Sequence, residues 1–257
     1  MLEQVTPLIL TYNEEPNIER TLSRLAWARD IVVIDSFSTD ATLEICRRFP
    51  QVRVIQRVFD SHAQQWTFGL HQSGITTEWV LALDADYVLS DELLIELSGL
   101  VPDADVMGYC VAFRYCIWGK PLRGTLYPPV TVLYRRERAC YVQDGHTQRV
   151  IVKGEVRSLH GRIFHDDRKP LARWLQGQDR YMQLEVEHIR QTPWKALSNP
   201  DRLRRLIVVS PFVVFLYSLF VKGGVLDGRA GLYYALQRML AETILSLRLL
   251  ENDAHGS

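Results

Sequence analysis

Two carboxylates one residue apart, Asp84 and Asp86 around Ala85, follow directly on the apolar run WVLAL of residues 79–83. Carboxylates at positions i and i+2 on a bend can both face one hard cation, and a cation so held also binds a diphosphate. The plainer reading is a strand-end cap followed by a turn residue. Two more polar clusters stand at the ends of apolar runs: Thr11-Tyr12-Asn13-Glu14 after residues 5–10, and Asp35-Ser36 after residues 31–34. In open α/β sheets ligands bind at the carboxyl ends of the strands, so clusters on three such strands meet along one edge. The chain has neither GxGxxG nor GxxxxGKS/T. It therefore lacks a glycine-rich phosphate cradle, and a bound phosphate has to be neutralised another way, most simply by a metal.

The elements that position these clusters are readable from periodicity. Short apolar runs at residues 5–11, 31–34, 52–55 and 79–83 predict four strands, and helical patterns fall between them. Pro16 suits the first turn of a helix carrying Ile18, Leu22 and Leu25. Thr39 or Asp40 is expected to cap a helix over 41–49, a further helix runs through 64–70, and Ser90 is expected to cap one with Asp91 and Glu92 in its first turn. After about residue 105 the pattern changes to strands at 106–117, 130–135, 148–152 and 155–159, an α+β extension of the parallel core. From Pro170 onward the chain reads as helical, with Asn199-Pro200 as a cap and first-turn proline. Leu232, Leu236, Met239, Thr243 and Leu247 form one face of a last helix.

Bulk properties narrow the classes. With 257 residues and 47% hydrophobic content the chain can bury a large core. Thirty basic residues balance thirty acidic ones, which speaks against nucleic acid as a partner. Cys46, Cys110, Cys116 and Cys140 form no CxxC pair, so free thiols in a reducing compartment are the default. Residues 1–4 show no basic region of a secretory signal, and the catalytic part is expected in the cytoplasm. The uncharged stretch 206–221 would span only ~24 Å as a helix, short of a hydrocarbon core of ~30 Å. With Pro211 inside it, expected to kink a helix, and Gly223-Gly224 after it, the stretch reads as an interfacial or re-entrant segment. A buried helix, an oligomer contact and a full span are the alternatives.

The segments LILTYNEEPNIERTL, IVVIDSFSTDAT and WVLALDADYVLSDEL, in that order and spacing, resemble the family 2 glycosyltransferases with the GT-A fold. YVQDGHTQRV and IFHDDRKPLARW resemble a subgroup similar to enzymes that add sugars to lipopolysaccharide core or lipid-linked exopolysaccharide. The resemblance implies that Thr11, Tyr12 and Glu14 hold the nucleotide base and ribose, and that Asp35 lies near the base, although Ser36 stands where the family often has a second acid. It places Gln64 near the donor, unless it is a solvated helix position. It implies that Asp84 and Ala85 bind the nucleotide, that Asp84 and Asp86 hold the metal, and that His165 completes the metal shell, unless that histidine is structural. Arg168 and Lys169 would face the diphosphate or be surface charges, and Trp118 and Tyr127 flank a turn that is either an acceptor loop or core packing. An inverting transfer needs a carboxylate or imidazole within reach of the acceptor hydroxyl. The family's usual base is an acid in the second half. Asp144 is the first choice and His146 the second, Thr147 standing where relatives have a glutamate after the histidine; a plain turn at Asp144-Gly145 is the alternative.

The expectation is an α/β, GT-A-like (Rossmann-like), mostly parallel sheet with an α+β extension and a membrane-associating helical region. Residues 1–165 form the catalytic domain, with a nucleotide-binding half at 1–100 and an acceptor half at 101–165. Residues 166–257 form a helical region associated with a membrane or an oligomer partner. The function implied is inverting transfer of a sugar from a nucleotide-diphosphate donor, UDP by resemblance, with Mn2+ or Mg2+ as cofactor. The acceptor is a hydroxyl of a lipid-linked or polysaccharide molecule in cell-envelope glycan synthesis. The expected place is the cytoplasmic face of the inner membrane, peripheral or monotopic, with a homo-oligomer as a further option. The rivals are a sugar nucleotidyltransferase, against which the acidic first loop counts, and a non-catalytic membrane-surface scaffold.

Overall fold

The computed structural model describes residues 1–144 and 147–255. It divides into two compact units, one of Met1–Cys116 with Tyr127–Arg168, the other of Ile117–Leu126 with Lys169–Ser257. The strands in chain order are β1 (Val5–Thr11), β2 (Ile31–Asp35), β3 (Val52–Gln56), β4 (Trp79–Asp84), β5 (Tyr87–Leu89), β6 (Val106–Ile117), β7 (Lys120–Pro121), β8 (Val130–Arg135), β9 (Ala139–Asp144), β10 (Thr147–Val152) and β11 (Glu155–His165).

The main sheet has nine strands, eight of them in the order β3-β2-β1-β4-β8-β6-β11-β5 with β7 paired to β6, while β9 and β10 form an antiparallel hairpin. The first four strands pair in parallel, as expected from the helical patterns between them. The sheet as a whole is mixed rather than mostly parallel: β8 runs antiparallel to β4 and to β6, and β5 antiparallel to β11. Parallel neighbours need a long crossover, usually a helix. Among the described residues no helix longer than one turn intervenes between residues 99 and 171, so most of the later strands pair antiparallel; β6 and β11 are the exception.

The central strands alternate between two cores. Ile9, Val33 and Leu81 point to one face, where Ile18 and Leu22 of α1 (Ile18–Ser23) pack; Leu8, Val32 and Val80 point to the other, where Trp66 and Leu70 of α3 (His62–Gln72) pack. Helix α2 (Thr42–Cys46) is shorter than expected, though Asp40 Oδ1 does accept from the Thr42 N–H at 3.0 Å. Ser61 caps α3, and Ser90 caps α4 (Asp91–Gly99) by accepting from Leu93 N. A Cβ at Gly69 would meet Leu8 Cδ1 at 2.8 Å, so glycine lets α3 lie close on β1.

In the helical unit, α5 (Leu171–Gln191) packs on α8 (Arg229–His255) through Met182, Val186, Ile189, Leu245 and Leu249. Between them lie α6 (Asn199–Arg204), α7 (Val209–Leu216) and a π turn (Tyr217–Val221). Ser198, not Asn199, caps α6 by accepting from Asp201 N. Pro211 does not kink a helix: it sits in the first turn of α7, where its missing N–H has no intrahelical acceptor to lose. Gly223, at φ 75°, ends the segment in the left-handed conformation. On α8 the face expected from periodicity turns outward: Leu232, Leu236 and Leu247 are exposed, and Tyr234, Ala241, Leu245 and Leu249 are buried. Among the described residues no helix is long and apolar enough to cross a membrane.

Candidate active site

The strand register builds the site edge. Thr11 pairs with Asp35, and Leu10 with Asp84, so the last residues of β2, β1 and β4 stand side by side at their carboxyl ends. This is where an open α/β sheet presents ligand-binding groups.

Asp35 is completely buried. Its Oδ1 accepts from Thr11 Oγ1 at 3.1 Å and from the Ser38 hydroxyl; its Oδ2 accepts from Ser38 N at 2.9 Å and Gln56 Nε2 at 3.2 Å. A carboxylate offers about four acceptor positions, and all are filled from within the protein. Ser38 Oγ also accepts from Asn13 N at 2.7 Å, and Asn13 Oδ1 accepts from Thr39 N at 2.7 Å. Glu14 N donates to Thr42 Oγ1 at 2.7 Å. The loops after β1 and β2 are thus clamped together, with Asn13 and Phe37 both at positive φ. Two aromatics stand out from them, Tyr12 at 53% and Phe37 at 50% exposure. The Glu14 carboxylate accepts from the buried amide of Asn17 at 2.8 Å.

The Asp84-Ala85-Asp86 turn is fixed from below. Thr21 Oγ1 of α1 donates to the Ala85 carbonyl at 2.7 Å, and Asp166 N to that of Asp86 at 3.1 Å. Asp166 is buried and takes Arg168 through Nε and Nη2 at 3.0 and 2.7 Å, with Arg20 Nε at 3.5 Å. Arg168 is engaged here, and Asp166 raises its pKa.

His165 ends β11, between Tyr87 of β5 and Tyr115 of β6. Its Nε2 lies 3.2 Å from Asp86 Oδ2. Its Nδ1 is buried and has no hydrogen-bond partner among the described residues, so the ring is oriented by the rings of Tyr87, Tyr115 and Tyr127 at 4.6–5.3 Å. Burial works against its protonation, but Asp86, by charge and hydrogen bond, and then Asp84 and Asp167 outweigh it and raise the imidazole above the ordinary histidine range. The Tyr87 and Tyr127 hydroxyls, hydrogen-bonded to each other, are pushed up first by burial and then by Asp84.

Among the described residues no three His, Cys, Asp or Glu side chains are gathered as a ready ligand set. A hard cation shared with a diphosphate needs no such cage, because one or two carboxylates suffice when phosphate oxygens and water complete the shell. Asp86 with His165 at 3.2 Å, and Asp84 two residues before it, fit that arrangement, and their oxygen and imidazole donors suit Mn2+ or Mg2+.

Gln64 lies on the exposed side of α3. Its neighbour Gln65 is fully buried and donates from Nε2 to Ser36 Oγ at 3.0 Å. The β9–β10 hairpin leans on α3 by stacking Tyr141 on Trp66, centroids 5.4 Å apart. Asp144 pairs with Thr147 in the hairpin register. The Asp144 side chain and all of His146 lie outside the described residues. Trp118 packs on Tyr233 within the helical unit, whereas Tyr127 belongs to the His165 cluster. Sequence reasoning missed Gln65, Arg20, Asp166 and, beside His165, Tyr87 and Tyr115.

These features define an α/β domain that presents acidic groups and a histidine beside a strand-end ligand edge. The model of the family described as Glycosyl transferase family 2 matches residues 8–156, more than half the chain, and the chain belongs to that family. An uncharacterized glycosyltransferase of Rickettsia typhi is 32% identical over 98 residues, 38% of this chain and 32% of that protein. The stretch that matches is thus about a third of that relative's length. The structure of S. aureus TarS 1-349 in complex with UDP-GlcNAc superposes with a TM-score of 0.50 at 16% identity, covering 98% of this chain and 92% of that one. At that identity the likeness shows the fold alone, an α/β GT-A-like mixed sheet with helices. Glucosyl-3-phosphoglycerate synthase from Mycobacterium tuberculosis, in complex with Mn2+, UDP and phosphoglyceric acid, gives 0.48 at 13% identity over 72% of this chain and 77% of that one, too remote to assign anything here.

Proposed function

We propose that this protein is an inverting glycosyltransferase that moves a sugar from a nucleotide-diphosphate donor, UDP-linked, to a hydroxyl of a lipid-linked or polysaccharide acceptor of the cell envelope. The observation that carries the reading is the alignment of Thr11, Asp35 and Asp84 on adjacent strand ends, with Asp86 beside His165. Thr11, Tyr12 and Glu14 line the nucleoside end, with the exposed Tyr12 ring available to stack on the base. Asp35 acts through Thr11 and Ser38, whose loops it fixes. Asp84, Asp86 and His165 would hold a Mn2+ or Mg2+ ion, which when bound offsets the negative charge that develops on the departing diphosphate. Asp144 takes the proton from the acceptor hydroxyl, which attacks the anomeric carbon from the face opposite the diphosphate; His146 is the second candidate for that proton.

The reading is tested by screening nucleotide sugars for donor hydrolysis and transfer with Mn2+, with Mg2+ and with excess chelator. The expected result is metal-dependent turnover of one sugar nucleotide. Full activity in chelator would remove the metal, and failure of every donor to bind or turn over would remove the transferase.

A further inference from the structure

We propose that the outer face of the helical unit, formed by α7, the π turn after it and one stripe of α8, docks on the headgroup–acyl boundary of an anionic lipid bilayer. The first observation is an inversion of polarity. A helix at a protein–water boundary buries its apolar side and shows its polar side. Here Ser210 and Ser218 are each 1% exposed, whereas Phe212 is 56% and Phe220 61% exposed. Ser210 Oγ donates inward to Glu242 Oε2 at 2.6 Å, and Ser246 Oγ of α8 donates to the Ile207 carbonyl at 2.6 Å. Ser210 and the Ile207 carbonyl are thus satisfied from inside by α8, and Val209, Val213, Leu216, Tyr217 and Val221 face out with the two phenylalanines.

The same inversion recurs on α8. Leu232, Leu236, Leu240, Leu247 and Leu250 are all exposed. Steps of four, four, seven and three residues, at about 100° each residue, confine them to a stripe of roughly 80°. The opposite side already carries the packed core of the unit, so the helix is apolar on both sides. α7 packs along α8, and apolar side chains exposed in this number on two packed helices mark an interaction site rather than a water-facing wall.

Charge selects the partner. Between residues 202 and 250 the acidic residues are Asp227 and Glu242, and both are buried. Asp227 accepts from Arg123 N at 2.9 Å, and Glu242 is paired with Arg204 at 2.9 Å. The same stretch holds Arg202, Arg205, Lys222, Arg229, Arg238 and Arg248; Arg248 is paired with Asp179 at 2.6 Å, whereas Arg229 is exposed and Lys222 lies beside the Tyr217 ring. Between residues 202 and 250 the exposed surface is therefore apolar and cationic, and the exposed acid next in sequence, Glu251, is paired with Arg248. A second copy meeting this patch across a two-fold axis would set cations against cations. An anionic headgroup layer above acyl chains matches both properties at once, because interfacial binding scales with buried apolar area plus attraction of basic residues to anionic lipid.

The test is flotation of the full chain with vesicles of phosphatidylcholine alone and of phosphatidylcholine with phosphatidylglycerol. The protein is expected to float with the anionic vesicles, more weakly with the zwitterionic ones, and less as salt rises. The double variant Phe212→Glu, Phe220→Glu is expected to lose at least tenfold in vesicle affinity with an unchanged thermal midpoint, since both side chains already stand in solvent. If that variant does not fold, Lys222→Glu with Arg229→Glu serves: it should abolish the preference for anionic vesicles. Wild-type protein that stays in the aqueous fraction with both vesicle types overturns the proposal. So does a discrete detergent-free oligomer that Phe212→Glu dissociates, which assigns the face to a second copy. None of these readouts involves sugar transfer, so the proposal and the catalytic reading fail separately.

Discussion

In the sheet unit Leu8, Ile9, Val32 and Val33 are fully buried, and charge collects at the strand ends. In the helical unit Glu185, Glu242 and Ser210 are inside while Phe212 and Phe220 stand in the open. Arg204 lies among Glu242, Glu185 and Asp201 at 2.9–3.1 Å; burial opposes its charge, but those carboxylates outweigh it and raise its pKa. The contrast teaches what each apolar surface does. In the sheet unit burial builds a rigid platform whose polar edge is the site. In the helical unit an ion network fixes the helices from within, leaving apolar side chains for the outside. A buried pair of this kind contributes little relative to apolar packing, yet is costly to break once built.

Four substitutions break or sharpen that comparison. The largest effect is expected at the platform edge: Asp86→Ala should bring turnover below detection while the chain still folds with a lowered unfolding midpoint, because the buried carboxylate is also the partner of His165. Full turnover in this variant would detach the metal role from Asp86. Asp144→Asn keeps the shape and removes the proton acceptor, so turnover should fall by a factor on the order of 10²–10⁴ with donor affinity little changed. Near-normal turnover there, together with an inactive His146→Ala, moves the role to His146. In the helical unit, Glu242→Gln should cost about 2–3 kcal/mol in urea unfolding, since Arg204 keeps two other carboxylates but loses its bidentate partner and Ser210 its anionic acceptor. Unchanged stability would mean that the polar interior does not hold the helices. The smallest effect is expected at Phe37, a bulky residue at φ 60°. Phe37→Gly should raise stability by about 0.5–1 kcal/mol by relieving left-handed backbone, and a loss of stability would show that the ring packs usefully.

The parallel half of the fold was legible in the sequence because β1, β2 and β4 are buried on both faces and so appear as unbroken apolar runs ending in Thr11, Asp35 and Asp84. β5 was missed because three residues directly after Asp86 carry no period of their own, and β9 because Cys140, Tyr141 and Gln143 alternate too weakly to separate strand from loop. Gln65, which turns in beside the exposed Gln64, was missed, since one residue on a helix is about 100° of rotation, finer than a motif position fixes. The outer stripe of α8 was taken for a helix face without its direction. Periodicity locates an apolar stripe, but only packing tells which of two stripes goes inside. His165 was found by its place after a strand; its tyrosine surroundings come from β5, β6 and residue 127, which nothing local in sequence connects.

The saturation of Asp35 also bears on how this scaffold can be altered. Its four donors come from β1, from the loop after β2 and from β3, and Ser38 passes the constraint on to the backbone of Asn13. Residues 11–15 and 35–42 therefore behave as one cassette rather than two loops. Grafting either alone from another donor-binding protein leaves a buried carboxylate short of a donor or Asn13 N–H short of an acceptor. Moving both together, with Gln56, transfers the network intact, so this edge of the fold is exchangeable in units of two loops and a strand end.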